Sequence, residues 1–179
     1  MYSGHNRLRD ATAAECRSAG WPVALEVPLT GALQRQADVL ISLPDGTAPV
    51  AADVSVTHPL QLSLSTAEVV PGAFADRAEA DKRRVSAAGC SAAGWRFTPV
   101  CVETTGAWGP EAQRLVRALV RRQSMRLWTP VEAAVGAVWR SLTAEVAKWT
   151  AQMLVRAYQD GSCCGAGVAH GLCWRGRGG

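Results

Sequence analysis

The sequence predicts an α/β domain: a mixed central sheet flanked by helices, with a helical extension at the C-terminal end. Three observations predict it. Segments of period two and segments of helical period alternate through the first part of the chain. Pro44-Asp45-Gly46 joins two of the period-two segments as a tight hairpin. Beyond Gly109-Pro110 only helical periodicity remains. With 179 residues, 48 % of them apolar, the chain has the material for one domain with a real core.

The elements follow in order. In residues 5–19, Leu8, Ala11, Thr12, Cys16 and Ala19 recur at helical spacing, and Gly20 is a stop. Residues 23–29 form a short strand with Glu26 in its middle, and Gly31 opens a loop. In the hairpin over 35–57, Ala37, Val39, Ile41 and Leu43 share one face of the first strand, and Asp38, Leu40 and Ser42 the other. In the second strand Ala52, Val54 and Val56 oppose Asp53, Ser55 and Thr57. Residues 60–72 read as a loop. A helix follows over about 73–88, with Ala75, Ala78, Lys82 and Val85 toward the sheet, Asp76, Glu79 and Arg83 pointing elsewhere, and Gly89 and Gly94 bracketing its end. The stretch 95–104 is a β-branched and aromatic strand with Glu103 near its end. From Glu111 a basic helix sets Leu115, Leu119 and Val120 against Arg114, Arg117, Arg121 and Arg122. Pro130 starts a long helix to about Tyr158, with an apolar stripe through Val131, Val135, Val138, Leu142, Val146, Trp149 and Met153. The expected organisation is a core over 1–109, helices packing on it over 110–158, and a disordered Gly-rich tail over 159–179.

The net charge of +4 is compatible with a nucleic-acid partner without requiring one. Lys82 and Lys148 are the chain's lysines, in a background of arginine. No apolar run approaches a membrane span, and the opening MYSGHNRLRD carries no secretory core. Cys16, Cys90 and Cys101 stand alone in apolar settings as reduced core residues, which suits an intracellular compartment, the nucleus included. Cys163, Cys164, His170 and Cys173 match no common zinc spacing.

The chemistry concentrates on the hairpin. Asp38 and Asp53 lie among apolar neighbours, and Lys82 and Glu103 can converge on them if the strands are adjacent. Clustered carboxylates repel one another and are tolerated around a divalent cation. A cation held by one or two carboxylates suits phosphodiester hydrolysis, with a nearby ammonium orienting water. The plain alternatives stay open: a solvated face for the aspartates, a snorkelling lysine for Lys82, a strand end or turn cap for Glu103, and a solvated helix face for the arginines. His5 can bind a phosphate or contact the site, against the plainer reading, shared with His58, of a structural or exposed side chain.

The order helix, strand, hairpin, helix, strand resembles the PD-(D/E)xK nuclease fold, of the restriction-endonuclease-like kind. It is most similar to the nuclease-like domain associated with retroelement reverse transcriptases. The stretches that carry the resemblance are His5–Asp10, Arg35–Val39, Asp53–Thr57, Ala78–Lys82, Phe97–Gly106 and Trp139–Leu142, within residues 4–157. The resemblance implies a Mg²⁺- or Mn²⁺-dependent endonuclease acting on DNA. It makes Asp38 and Asp53 metal ligands, the Val54 carbonyl a third, Lys82 the water-orienting cation and Glu103 a supporting acid, with Glu26 a weaker candidate. The sequence departs from the family pattern at Ser55, where a lysine is expected, and Lys82 stands in for it from the neighbouring helix. Two other outcomes are a degenerate copy that binds nucleic acid through Arg114, Arg117, Arg121 and Arg122, and a protein-interaction domain built on the long helix.

Overall fold

The computed structural model describes residues 4–28, 36–58 and 70–159. Helix α1 (Gly4–Ser18) leads into strands β1 (Val23–Pro28), β2 (Gln36–Ile41) and β3 (Val50–Thr57). Helix α2 (Ala73–Ala92), strand β4 (Arg96–Glu103) and helices α3 (Pro110–Leu127) and α4 (Val131–Gln159) complete it. The sheet runs β1-β2-β3-β4, with β1/β2 and β2/β3 antiparallel and β3/β4 parallel. The fold is therefore α/β, with a mixed four-stranded sheet among four helices. A parallel pair needs a crossover, and α2 supplies it.

Helices α1, α3 and α4 share one core with Val39, Ile41, Val50, Ala52, Val54, Val100 and Val102 of the sheet. Helix α2 lies against β3 and β4, over a smaller cluster of Ala37, Ala51, Cys90 and Phe97. Cys16, Cys90 and Cys101 are buried free thiols. Burial pushes Cys16 and Cys101 up to about 12, so both are inert thiols.

Several expectations need correction. Alternation breaks at Asp38, because Ala37 joins the α2-side cluster and not that of Val39 and Ile41. The α2 helix runs through Gly89 to Ala92, and the chain turns at Gly94 with φ +74. Its buried residues are Ala75, Glu79, Ser86 and Cys90, while Val85 is exposed. In α4 the buried residues are Ala134, Val138, Leu142 and Val146, one every four residues. Val131, Val135 and Met153 are exposed, because α4 packs on α1 and α3 along that single row and its last turns extend past them. The expected tail, most of the 60–72 loop and the Gly31 loop fall outside the described residues.

The helical spacing sets Glu79 away from the sheet-facing side of α2, yet it is 2 % exposed. The reason lies in α3, whose N-cap is Gly109 with Pro110 at the first turn and no side-chain cap. Its first N–H groups need an acceptor from elsewhere. Glu79 Oε2 accepts from Glu111 N at 2.8 Å and Oε1 from Ala112 N at 3.0 Å. Burial raises this carboxyl above its ordinary value, against the pull of the two N–H groups it holds. The same device opens α2, whose N-cap Gly72 (φ 90) also lacks a side-chain cap. There Glu103 of β4 accepts from Phe74 N at 3.0 Å.

Candidate active site

The site forms where β2 and β3 part. Their last cross-strand pair is Val39↔Ala52, so Asp38 and Asp53 are the next residues opposite each other. Had the ladder continued, the Val54 backbone would have paired with β2, since N–H and C=O of alternate residues point to the same neighbour. Side chains replace that strand. Val54 N donates to Asp38 Oδ2 at 2.7 Å, and the Val54 carbonyl accepts from His5 Nδ1 at 3.0 Å. His5 Nε2 lies 3.2 Å from Asp38 Oδ1. Both ring nitrogens of His5 therefore face acceptors, an arrangement satisfied in full by the imidazolium. The hydrogen bond to Asp38 accordingly raises His5 above its ordinary value, against the opposing effect of burial.

Asp53 faces α2. Its Oδ1 accepts from Lys82 Nζ at 2.7 Å, with the two side chains 22 % and 25 % exposed. Asp38 and Asp53, opposite each other across the strands, are close enough to influence each other's ionisation. Burial works against ionisation of Asp38, but His5 and the Val54 N–H outweigh it and hold Asp38 below the usual carboxylate range. Burial raises Asp53, Lys82 pulls it back, and Asp38 pushes it up again, so the net direction is upward. The result is a row of four groups, His5, Asp38, Asp53 and Lys82, with the nitrogen bases at the ends and the carboxyls in the middle.

The structure brings Asp38, Asp53, Val54 and Lys82 together, and adds His5 from the first turn of α1. It does not bring Glu103 to them. In register Asp53 faces Pro99, and Glu103 faces Thr57 four residues further along, roughly 13 Å at the rise of a strand. Glu103 is 1 % exposed, and its remaining oxygen accepts from Thr105 Oγ1 at 2.8 Å. It caps a helix, and both oxygens are used in doing so. Glu26 takes a left-handed backbone (φ 54) and pairs with Arg9. His58 bonds Thr104 at 2.8 Å. Ser55 shares the Asp53 face of β3, and Lys82 reaches the acid from α2 in its place. On α3, Arg114, Arg117 and Arg121 are exposed, whereas Arg122 is half-buried with its Nε lacking a partner.

The signal that would have found Glu79 and Glu103 as caps was present: two helices starting at glycine with no side-chain acceptor of their own. His5 carried no comparable signal, since its partners lie 33 and 49 residues further on.

Among the described residues no group of three or more His, Cys, Asp or Glu side chains is placed to hold a metal ion. A cation here would rest on two carboxylates and the Val54 carbonyl, an all-oxygen set of the kind that suits Mg²⁺ or Mn²⁺ with water completing the shell. Lys82 on Asp53 and His5 on Asp38 are the groups this chain itself sets against the two carboxyls. No helix among the described residues is long and apolar enough to cross a membrane.

No family model matches the chain. No curated protein matches it either.

Proposed function

We propose that this chain is a metal-dependent phosphodiesterase acting on DNA, built on a PD-(D/E)xK-type core of the kind associated with retroelement reverse transcriptases. The observation that carries the reading is the convergence of Asp38, Asp53, the Val54 backbone and Lys82 at the point where β2 leaves β3. Such a set has little use as packing: it places two neighbouring carboxyls and an ammonium group in one half-buried notch.

Asp38, Asp53 and the Val54 carbonyl would hold Mg²⁺ or Mn²⁺, which when bound supplies an acidified water and charge neutralisation at a phosphoryl oxygen. The chain's own residues do the rest. Lys82, seated on Asp53, stands where it can orient the attacking water and neutralise charge that builds on the phosphate. His5 fixes Asp38 and the Val54 peptide from the side, so that both acceptors keep their direction. Glu103 supports the site at a distance by anchoring the start of α2, the helix that carries Lys82.

The test is cleavage of supercoiled plasmid with Mg²⁺ or Mn²⁺ by wild type, Asp53→Ala and Lys82→Ala. Loss in Asp53→Ala and reduction in Lys82→Ala is the expected result. Cleavage lost in Asp53→Ala but intact in Lys82→Ala would remove Lys82 from the chemistry. No metal-dependent cleavage by folded wild type would overturn the reading.

A second reading is favoured by one feature of the same notch. Each would-be ligand already has a partner on this chain, so the row of four is electrically closed, as in a nuclease-fold remnant that binds nucleic acid without cutting it. Isothermal titration with Mn²⁺ separates the two, because only an open site takes up the ion, and Asp53→Asn abolishes that uptake.

A further inference from the structure

The turn between α3 and α4 presents a residue that folding does not explain. Trp128 caps α3 in the left-handed region with φ 53, and its side chain is 94 % exposed. Glycine is the residue that adopts this conformation without strain, and a large aromatic ring in water adds nothing to the core. A strained backbone holding an apolar ring outward is a reason to look for what the ring meets. The turn is also fixed: the Trp128 N–H donates to Ser124 O, and Ser124 Oγ donates to Thr129 O at 2.7 Å. Arg126 fastens the end of α3 to the rest of the domain through Ser18 O at 2.6 Å.

The face of α3 leading to this ring is charged. Arg114, Arg117 and Arg121 follow at three- and four-residue steps on its solvent side, away from the buried row of Leu115, Leu119 and Gln123. Glu111 answers Arg114 at 2.5 Å, Arg117 touches neutral Gln113 at 3.1 Å, and Glu132 stands in the first turn of α4. Arg117 to Trp128 spans eleven residues, about 16 Å at the helical rise.

We infer that this face is a track for single-stranded nucleic acid, with phosphates along Arg117 and Arg121 and a base stacked on Trp128. Cationic groups in file, ending in an open aromatic face, are what a flexible polyanion with stackable bases requires. An anionic bilayer shares the charge requirement but would accept the arginines in any order. The inference deepens the nucleic-acid reading above and does not depend on its chemistry, because binding needs neither Asp53 nor a metal.

The experiment is fluorescence anisotropy of a labelled oligothymidylate with the whole chain in EDTA, repeated with oligouridylate to compare DNA with RNA. Binding is expected, weakening with salt at a log–log slope of about −1.4 with Arg117 and Arg121 on phosphates. Trp128→Ala is expected to bind about tenfold more weakly, or worse, and Trp128→Phe within a few-fold of wild type. Trp128→Gly relieves the left-handed strain yet removes the ring, so a variant at least as stable as wild type that binds poorly separates stacking from folding. Arg117→Gln with Arg121→Gln should flatten the salt slope toward zero. Equal binding by wild type, Trp128→Ala and Trp128→Gly would overturn the inference. So would an absence of oligonucleotide binding with Trp128 responding instead to phosphatidylserine vesicles. A chain that binds oligonucleotide in this way but never cleaves plasmid would sink the nuclease reading alone.

Discussion

Glu79 and Gly109 make a coupled pair whose energetics can be worked from distances. Gly109 has φ −66 and ψ 158, a conformation open to alanine. On the backbone alone, Gly109→Ala should stabilise by about 0.4–1 kcal/mol, through the unfolded chain. A Cβ there would sit 2.3 Å from Cδ and Oε1 of Glu79. The carboxyl cannot swing aside cheaply, because it holds the N–H groups of Glu111 and Ala112. Gly109→Ala in the wild-type background should therefore cost about 2–3 kcal/mol, in the range of other overpacked sites. Glu79→Ala strands those donors, each worth about 1–3 kcal/mol when left unmet, and a water entering the space recovers part. About 3 kcal/mol is the expected loss. In the Glu79→Ala background the clash is gone, so Gly109→Ala should change sign and be neutral or stabilising by about 0.5 kcal/mol. Urea unfolding followed by circular dichroism on the four proteins measures the cycle. Additive single effects, within about 0.5 kcal/mol, would refute the placement of the carboxyl between α2 and α3.

Three further outcomes follow from the same geometry. Glu103→Ala should lose about 2–3 kcal/mol in urea by uncapping α2, while Glu103→Gln, which keeps one acceptor oxygen, should lose less. Lys82→Met leaves the two carboxyls without their ammonium and should destabilise by about 1–2 kcal/mol, discounted for a pair that is partly exposed, and Asp53→Asn in the same chain should recover part of that loss in a double-mutant cycle. His5 has a raised value in the folded state, so its stabilisation is complete below its ordinary value of 6.5 and is lost as pH rises through the folded value. Wild type should thus lose stability relative to His5→Gln on going from mildly acidic to alkaline buffer, and parallel pH profiles for the two would contradict the bond to Asp38.

The elements were legible because they rest on local periodicity. Leu8, Thr12 and Cys16 fall on one side of α1, and Pro44-Asp45-Gly46 marked the hairpin that carries Asp38 and Asp53. Lys82 was legible too, since its position on α2 depends on spacing within one helix. Glu79 was misread because a charged residue in an amphipathic pattern looks solvated, and what buries it is a donor shortage at a helix 32 residues away. The break at Asp38 escaped for a similar reason. Alternation assumes that the neighbouring strand stays in the ladder, whereas here His5 and a carboxylate take the strand's place. In α4 the periodicity was read correctly as helical, but which row is buried depends on where α1 and α3 lie.

The parting of β2 from β3 gives this molecule an internal reporter. In an ordinary sheet, exchange of a strand amide with deuterated solvent reports the opening of the sheet. The Val54 amide is bonded to the Asp38 side chain, so its exchange reports the state of one carboxylate. Whatever draws Asp38 away, whether an ion or a substrate, should release that single proton to solvent while Ala52 beside it stays protected. Occupancy of the notch can then be followed at one backbone position, with no label and no assumption about the reaction.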